Sequence, residues 1–307
     1  FTGAPVPDGA DTIAIQENVR KLDGNAIEVL ETVAADRHIR AIGLDFAEGE
    51  ELLEEGRVLD AAALSLAAAA NHPTLSVIRK PLVAIIATGD ELLPPGSTPG
   101  PDQIIASNAY GVTAIAKEAG ARVLDLGIAP DRAEAISALA TRALDAKADV
   151  IVTLGGASVG DHDLVHNALT GLGMELGFWK IAMRPGKPLM FGRLGAARCL
   201  GLPGNPVASL LCSHLFLKPL LARLGGRPHE NHIVDAVLGA PMPANDRRRD
   251  YVRAAVSRTE SGLVAKPFAA QDSSMLKVFA GAGGLILREP MAPAASPGDP
   301  CRVLLPG

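Results

Sequence analysis

Aromatic side chains are scarce: they make up 3% of the 307 residues, with one Trp, two Tyr and seven Phe. A chain that gripped nucleic acid would want stacking rings and a basic face, and the formal net charge here is −5. Nucleic acid is therefore not an expected partner; a small anionic ligand held by local positive charge is. Cysteine is scarce too. Cys199, Cys212 and Cys301 are odd in number, far apart and without metal-ligand spacing, which argues against a disulfide framework and for reduced thiols in a cytoplasmic setting. No apolar run reaches membrane-spanning length, and the alanine-rich stretch 61–70 reads as a packed helix. The chain starts at Phe1 with neither a methionine nor a signal sequence, and so reads as a piece of a longer protein.

What is present suffices for more than one core, since 48% of the residues are hydrophobic. Residues 1–40 read as a small β-rich module with short strands at 12–15 and 26–30. Residues 41–80 read as a linker subdomain in which Asp60 caps a helix, His72-Pro73 stops it, and a strand returns at 75–78. From 81 to 225, β-branched runs alternate with amphipathic helices, the order of a mainly parallel, doubly wound α/β sheet. Strands are expected at 82–87, 123–126, 150–154, 176–182 and 189–193, the last two preceding Cys199-Leu200-Gly201-Leu202. Helices are expected at 107–118, 132–145 and 206–224, the first capped by Ser107 and the second by Asp131. Residues 226–307 are β-rich, with strands near 233–238, 251–256, 262–266, 284–287 and 302–305.

Ligands in such sheets sit outside the carboxyl ends of the strands, so the loops there matter most. The strand 150–154 runs into Gly155-Gly156-Ala157-Ser158-Val159-Gly160-Asp161-His162-Asp163. Its glycines let backbone N–H groups crowd an anion, and its two aspartates put carboxylates beside them, as expected where a metal meets a phosphate. The bland account of Asp161 and Asp163 is charge complementing a helix N-terminus. Other strand ends carry Thr88-Gly89-Asp90-Glu91 and Asp131, then Lys180, Arg184, Pro185, Gly186, Lys187 and Pro188, and finally Gly201-Leu202-Pro203-Gly204-Asn205-Pro206. Together these suggest one anion pocket with cations on one wall and metal-holding carboxylates on the other. His162 and His166 have the spacing of a zinc pair but no third ligand nearby. Arg247-Arg248-Arg249 beside Asp246 and Asp250 reads as a solvated loop.

The motif series Thr88-Gly89-Asp90-Glu91-Leu92, Ser107-Asn108, Gly155-Gly156-x-Ser158-x-Gly160-Asp161-x-Asp163, Arg184-Pro185-Gly186-Lys187-Pro188 and Gly201-Leu202-Pro203-Gly204-Asn205-Pro206 resembles that of the molybdopterin molybdenumtransferases. This is the MoeA family, which includes the E domain of gephyrin. The resemblance runs from Thr2-Gly3-Ala4-Pro5-x-Pro7 to a C-terminal segment similar to the family's small β-barrel. It implies the last step of molybdenum cofactor assembly, in which adenylylated molybdopterin and molybdate are substrates and AMP leaves with the help of Mg²⁺. Carried over by position, it implies catalytic roles for Glu91, Asp131, Asp163, Lys180 and Lys187, and Mg²⁺ ligation by Glu91, Asp161 and Asp163. It implies substrate binding by Thr88, Gly89, Asp90, Gly155, Gly156, Ser158, Gly160, Arg184, Gly186, Pro188, Pro203 and Asn205, with Arg253 and Ser273 lining the molybdate end. Arg184 stands where the family commonly has lysine. The resemblance further implies a homodimer, an upstream adenylyltransferase, and an N-terminal Asp-Asn-x-x-Met-Asp-Gly-Tyr segment that this sequence does not contain.

Three other readings stand beside it. A molybdopterin adenylyltransferase or other nucleotide-processing enzyme would share the sheet. A non-enzymatic receptor scaffold would share the fold. Gly156-Ala157-Ser158-Val159-Gly160 also fits the nucleophile elbow of a serine hydrolase, but no histidine follows a candidate acid such as Asp235.

Overall fold

The computed structural model describes residues 2–156 and 163–305, and the chain divides into two units, Phe1–Leu75 and Ser76–Gly307. In the first, the 3₁₀ turn Gln16–Asn18 leads into a two-stranded antiparallel ribbon of Val19–Lys21 and Ile27–Val29, with Val19 opposite Val29. The expected strand at 12–15 is not formed; the ribbon uses the residues after it. Helix Ala61–Ala69 starts as expected, because the Asp60 carboxylate accepts the Ala63 N–H at 2.8 Å and fills one of the donors a helix start leaves open. The return at 75–78 is not a strand.

The second unit holds a six-stranded sheet in the order Arg122–Ala129, Leu82–Thr88, Val150–Leu154, Ala197–Leu202, Met190–Leu194 and Glu175–Trp179. The first four are parallel and Met190–Leu194 runs against its neighbours. Val83, Ala84, Ile85, Ile86, Val150, Ile151 and Val152 are all 0% exposed, because helices cover both faces. Helices Asn108–Glu118 and Pro206–Leu224 pack on one side, Ala133–Asp145 and Leu164–Gly171 on the other. Each such isoleucine contributes about 1.5–3 kcal/mol by leaving water. The 19-residue stretch Pro206–Leu224 is long and apolar enough to cross a membrane, contrary to the expectation from run length. Its Val207, Leu211, Cys212, Leu217 and Leu221 are instead spent on the sheet, at 0–1% exposure.

The connection from Leu82–Thr88 leads through helix Asn108–Glu118 to Arg122–Ala129 on one side, and the chain then crosses back to Val150–Leu154 on the other. The strand order therefore reverses between Leu82–Thr88 and Val150–Leu154, and a crevice opens at the carboxyl ends of these two strands. The strand expected at 176–182 stops at Trp179, since Lys180 takes φ +70°, which an extended strand cannot contain. The chain then leaves the sheet, and Met183–Arg184 pairs in parallel with Arg249 and Asp250.

Strands Gly262–Pro267, Ile233–Leu238, Pro300–Leu304, Gly284–Arg288 and Arg249–Thr259 form the C-terminal barrel. It closes because Arg249–Thr259 also pairs antiparallel with Gly262–Pro267. Leu238, Val252, Ala254, Ala265, Ile286 and Val303 fill its interior.

Candidate functional site

The crevice at the reversal point is a cleft of about 590 Å³. Of the residues singled out in the sequence, Thr88, Gly89, Glu91, Asp131, Gly155, Gly156, Pro188, Pro203 and Asn205 line it, together with Ser107 and Asn108 at the start of a helix. Gly155 has φ +92°, and a Cβ there would stand 2.8 Å from the Thr88 carbonyl oxygen. Gly156 has φ +65°, and its Cβ would press on Val165 and on the Thr88 hydroxyl. The loop after Val150–Leu154 therefore passes tightly against Thr88, which leaves its backbone facing the cleft. Ser158, Gly160 and Asp161 lie outside the described residues.

Glu91 and Asp131 form an acidic wall. The Asp131 N–H donates to Asp90 Oδ1 at 3.0 Å, which ties the two strand-end loops together. Partial desolvation pushes the Asp131 carboxyl up from its ordinary value; the charges of Asp90 and Glu91 add to this, and the Asp90 N–H opposes it. Ser107 stands at the N-cap of Asn108–Glu118 as expected but makes no side-chain capping bond. Asp131 does not cap the next helix; Arg132 is the N-cap of Ala133–Asp145, and it makes no such bond either.

Among the described residues the expected cations and carboxylates do not line one pocket with facing walls of opposite charge. Among the described residues the cleft lining holds no Lys or Arg. Arg184 and Arg253 line a second cavity of about 970 Å³, shared with Pro185, Asn245, Asp250 and Gln271. Arg184 is there because its short strand pairs with Arg249 and Asp250: its guanidinium grips the Asp250 carboxylate through two nitrogens, with Asp246 at 3.4 Å and Asn245 Oδ1 at 3.2 Å. These acidic partners hold the Arg184 pKa above its ordinary value. The loop that reads as solvated thus supplies Asp250, a role invisible until the strand pairing is known. Arg253 is only 2% exposed; its side chain reaches the Asp272 carbonyl at 3.4 Å, and its Nε has no partner among the described residues. Burial lowers its pKa.

The remaining expected residues line neither cavity. Asp163 is 2% exposed and caps the helix Leu164–Gly171, with Oδ1 accepting the His166 N–H at 2.8 Å; its Oδ2 has no partner among the described residues. Burial raises its pKa. The Lys180 ammonium sits 4.3 Å over the Trp179 ring, and the His166 ring stacks on Trp179 at 5.2 Å, so His166 packs rather than offering half of a zinc pair. Lys187 is exposed, and Gly186 is buried against Met183 and Cys212. Ser273 bonds to Asn205. Asp235 lies in a barrel strand opposite Arg302, and the elbow serine Ser158 lies outside the described residues.

Three family models match in order along the chain: the MoeA N-terminal region (domain I and II) at residues 1–71, a probable molybdopterin binding domain at 84–223, and the MoeA C-terminal region (domain IV) at 235–305. A molybdopterin molybdenumtransferase 2 of Mycobacterium tuberculosis is 34% identical over 299 residues, 93% of this chain and 71% of the relative. The chain belongs to the molybdopterin molybdenumtransferase family. A Nostoc sp. member is 38% identical over 229 residues, or 74% of this chain. Against a MoeA structure from Pyrococcus horikoshii the TM-score is 0.80 at 28% identity, covering 98% of this chain and 73% of that one. The chain spans 52% of the length of the Nostoc relative and 63% of that from Haemophilus influenzae.

Mg²⁺ is the metal that the sequence resemblance implies. Among the described residues no three His, Cys, Asp or Glu side chains are grouped as a metal site. Mg²⁺, however, is commonly held by one or two carboxylates together with substrate phosphates. Glu91 and Asp131, two carboxylates lining one cleft, fit that mode.

Proposed function

We propose that this chain inserts molybdenum from molybdate into adenylylated molybdopterin, releasing AMP, as the last step of molybdenum cofactor biosynthesis. The observation that carries the reading is the division of labour between the two cavities. One is a strand-end cleft with glycine backbone and carboxylates; the other is lined by Arg253, buried with an unpartnered Nε.

In the cleft, the Gly155 and Gly156 backbone and the Thr88 side of the crevice admit the phosphate-bearing part of the substrate where side chains are excluded. Glu91 and Asp131 would hold Mg²⁺ against those phosphates, where it supplies charge neutralisation at the phosphoanhydride. Water cleaves that bond, giving AMP and the molybdopterin phosphate. In the second cavity Arg253 receives the molybdate dianion, whose oxygens add acceptors for a buried guanidinium with an unpartnered Nε among the described residues. As both dithiolene sulfurs bond to molybdenum, one oxo group departs as water with the two thiol protons. Arg184 is already engaged by Asp250, so its part is to shape the cavity while Arg253 carries the charge. The proposed machinery also includes Lys180, Lys187, Asp163, Ser158, Gly160 and Asp161, roles that the family resemblance implies.

The reading includes a homodimer, a cytoplasmic location and an upstream adenylyltransferase that supplies the substrate. Incubation of the purified chain with adenylylated molybdopterin, Mg²⁺ and molybdate tests it. Molybdate-dependent release of AMP is the expected result. Adenylylation of free molybdopterin by ATP, with the adenylylated form left untouched, would assign the chain to the adenylyltransferases instead.

A further inference from the structure

The strand-end cleft offers glycine backbone and carboxylates, yet its described lining holds no cation to meet a phosphate. A cation stands at the same edge of the sheet. Strand Glu175–Trp179 is antiparallel to Met190–Leu194, which is itself antiparallel to Ala197–Leu202, so Glu175–Trp179 runs in the direction of the central strands. Its carboxyl end, and Lys180 directly after it, therefore lie on the cleft side. The Lys180 N–H donates to the Leu189 carbonyl at 2.9 Å and the Ile181 N–H to the Lys187 carbonyl at 3.0 Å; these two partners flank Pro188, a residue of the cleft wall. Lys187 borders Pro188 as well, but its side chain is exposed and is held by nothing among the described residues.

Lys180 is held at both its backbone and its ammonium. The backbone takes φ +70°, a conformation that a lysine keeps only where its surroundings impose it. The ammonium sits over the Trp179 ring, 4.3 Å from its centroid, where the negative face of the indole attracts a cation. The ring is steadied in turn. His166 stacks on it with centroids 5.2 Å apart and planes 7° from parallel, and His166 is fixed in the first turn of Leu164–Gly171, where Asp163 caps its N–H. Packing alone does not call for tryptophan here, because the buried Nε1–H has no partner among the described residues, a cost that phenylalanine would not carry. Lys180 makes no ion pair among the described residues, which leaves its charge for a ligand.

Resting on the functional reading above, we propose that Trp179 is a positioning residue: steadied by His166, it holds the Lys180 ammonium at the edge of the cleft, where that charge meets the nucleotide phosphate. A free lysine side chain loses much rotamer freedom when it grips an anion. The indole takes that loss in advance, so that the phosphate meets a cation already in place.

Calorimetry of AMP binding to the full chain in the presence of Mg²⁺ reads this role. Trp179→Leu is expected to weaken AMP by about 5-fold, and Trp179→Phe, which keeps a ring face, by about 2-fold. Lys180→Met is expected to weaken it by about 10-fold. The combination of Trp179→Leu with Lys180→Met is expected to bind AMP as Lys180→Met alone does, to within about twofold, because the indole acts through the ammonium. A loosened fold would instead carry its own loss into the double variant, and thermal unfolding of each variant measures that loosening separately. Should the leucine variant not fold, Trp179→Phe completes the same cycle. Losses that multiply in the double variant, or native affinity in either Trp179→Leu or Lys180→Met, would overturn the positioning role and leave the functional reading standing. Failure of the native chain to bind AMP would overturn the functional reading and the positioning role with it.

Discussion

The Thr88 carbonyl oxygen lies 2.8 Å from the point where a Cβ on Gly155 would stand, so the two central strands end too close together for a side chain at 155. The left-handed φ of +92° adds to the demand for glycine. Gly155→Ala is expected to cost about 1–3 kcal/mol of stability and to weaken AMP binding, since the loop that opens onto the cleft must move. Urea unfolding paired with AMP titration checks both; unchanged affinity alongside lost stability would take Gly155 out of the site.

Glu91→Gln and Asp131→Asn each keep shape and remove a charge from the acidic wall. Each is expected to lower Mg²⁺-dependent AMP release by about 10-fold or more, with part of the loss recovered at high Mg²⁺. Titration of AMP release against Mg²⁺ concentration checks this. A loss that no Mg²⁺ concentration relieves would mean that the two carboxylates serve some other purpose.

Arg253 pairs burial with an Nε that has no partner among the described residues, so burying its charge is a structural cost that the Asp272 carbonyl and the nearby carboxylates offset only in part. Arg253→Met, similar in length and uncharged, is expected to leave stability unchanged or raised while molybdate affinity falls about 10-fold or more. Thermal unfolding and calorimetry on the same preparation check the opposite signs.

The pH dependence of stability has a traceable source in Asp149, which lies outside both cavities. Its carboxylate accepts two bonds from Arg79 at 2.7 Å and the Leu82 N–H at 2.7 Å, and these hold its pKa below the ordinary aspartate value. A depressed folded-state pKa gives a contribution that is present above the unfolded value and lost as pH falls through the folded one. The Arg79 bonds lower the pKa most and the Leu82 N–H at the start of the central strand adds to them; because Arg79 is exposed, solvent screening discounts its share of the stability. Asp149→Asn is expected to cost about 1 kcal/mol at neutral pH, with the difference closing in the acid range below the ordinary aspartate value. Denaturant unfolding across that range checks it; a gap that widens toward acid would contradict the sign.

Much of the sheet is legible in the sequence because burial on both faces writes continuous apolar runs, as in Val150–Leu154, while Ile233–Leu238 of the barrel forms on the residues expected although only Ala236 and Leu238 are buried. The Asp60 cap is legible because it is a local bond. The strand at 12–15 and the return at 75–78 fail for the same reason the pairing of Met183–Arg184 is missed: a short strand exists only if a partner edge accepts it, and the partner is distant in sequence. The site divides the same way. Thr88, Glu91 and Gly155 meet because strand ends in a parallel sheet must meet. The destination of Arg184 depends on its register against Asp250, 66 residues away, and nothing near position 184 announces it.

The account stands most directly on where the two ligands lie. Crystals grown with AMP, Mg²⁺ and tungstate, a heavier tetrahedral dianion in place of molybdate, locate both through the anomalous signal of tungsten and the density of the nucleotide. The account predicts tungsten beside Arg253 and the AMP phosphate between Thr88 and Gly156, facing Glu91 and Asp131. Tungsten at the acidic wall, or AMP in the arginine cavity, would contradict it.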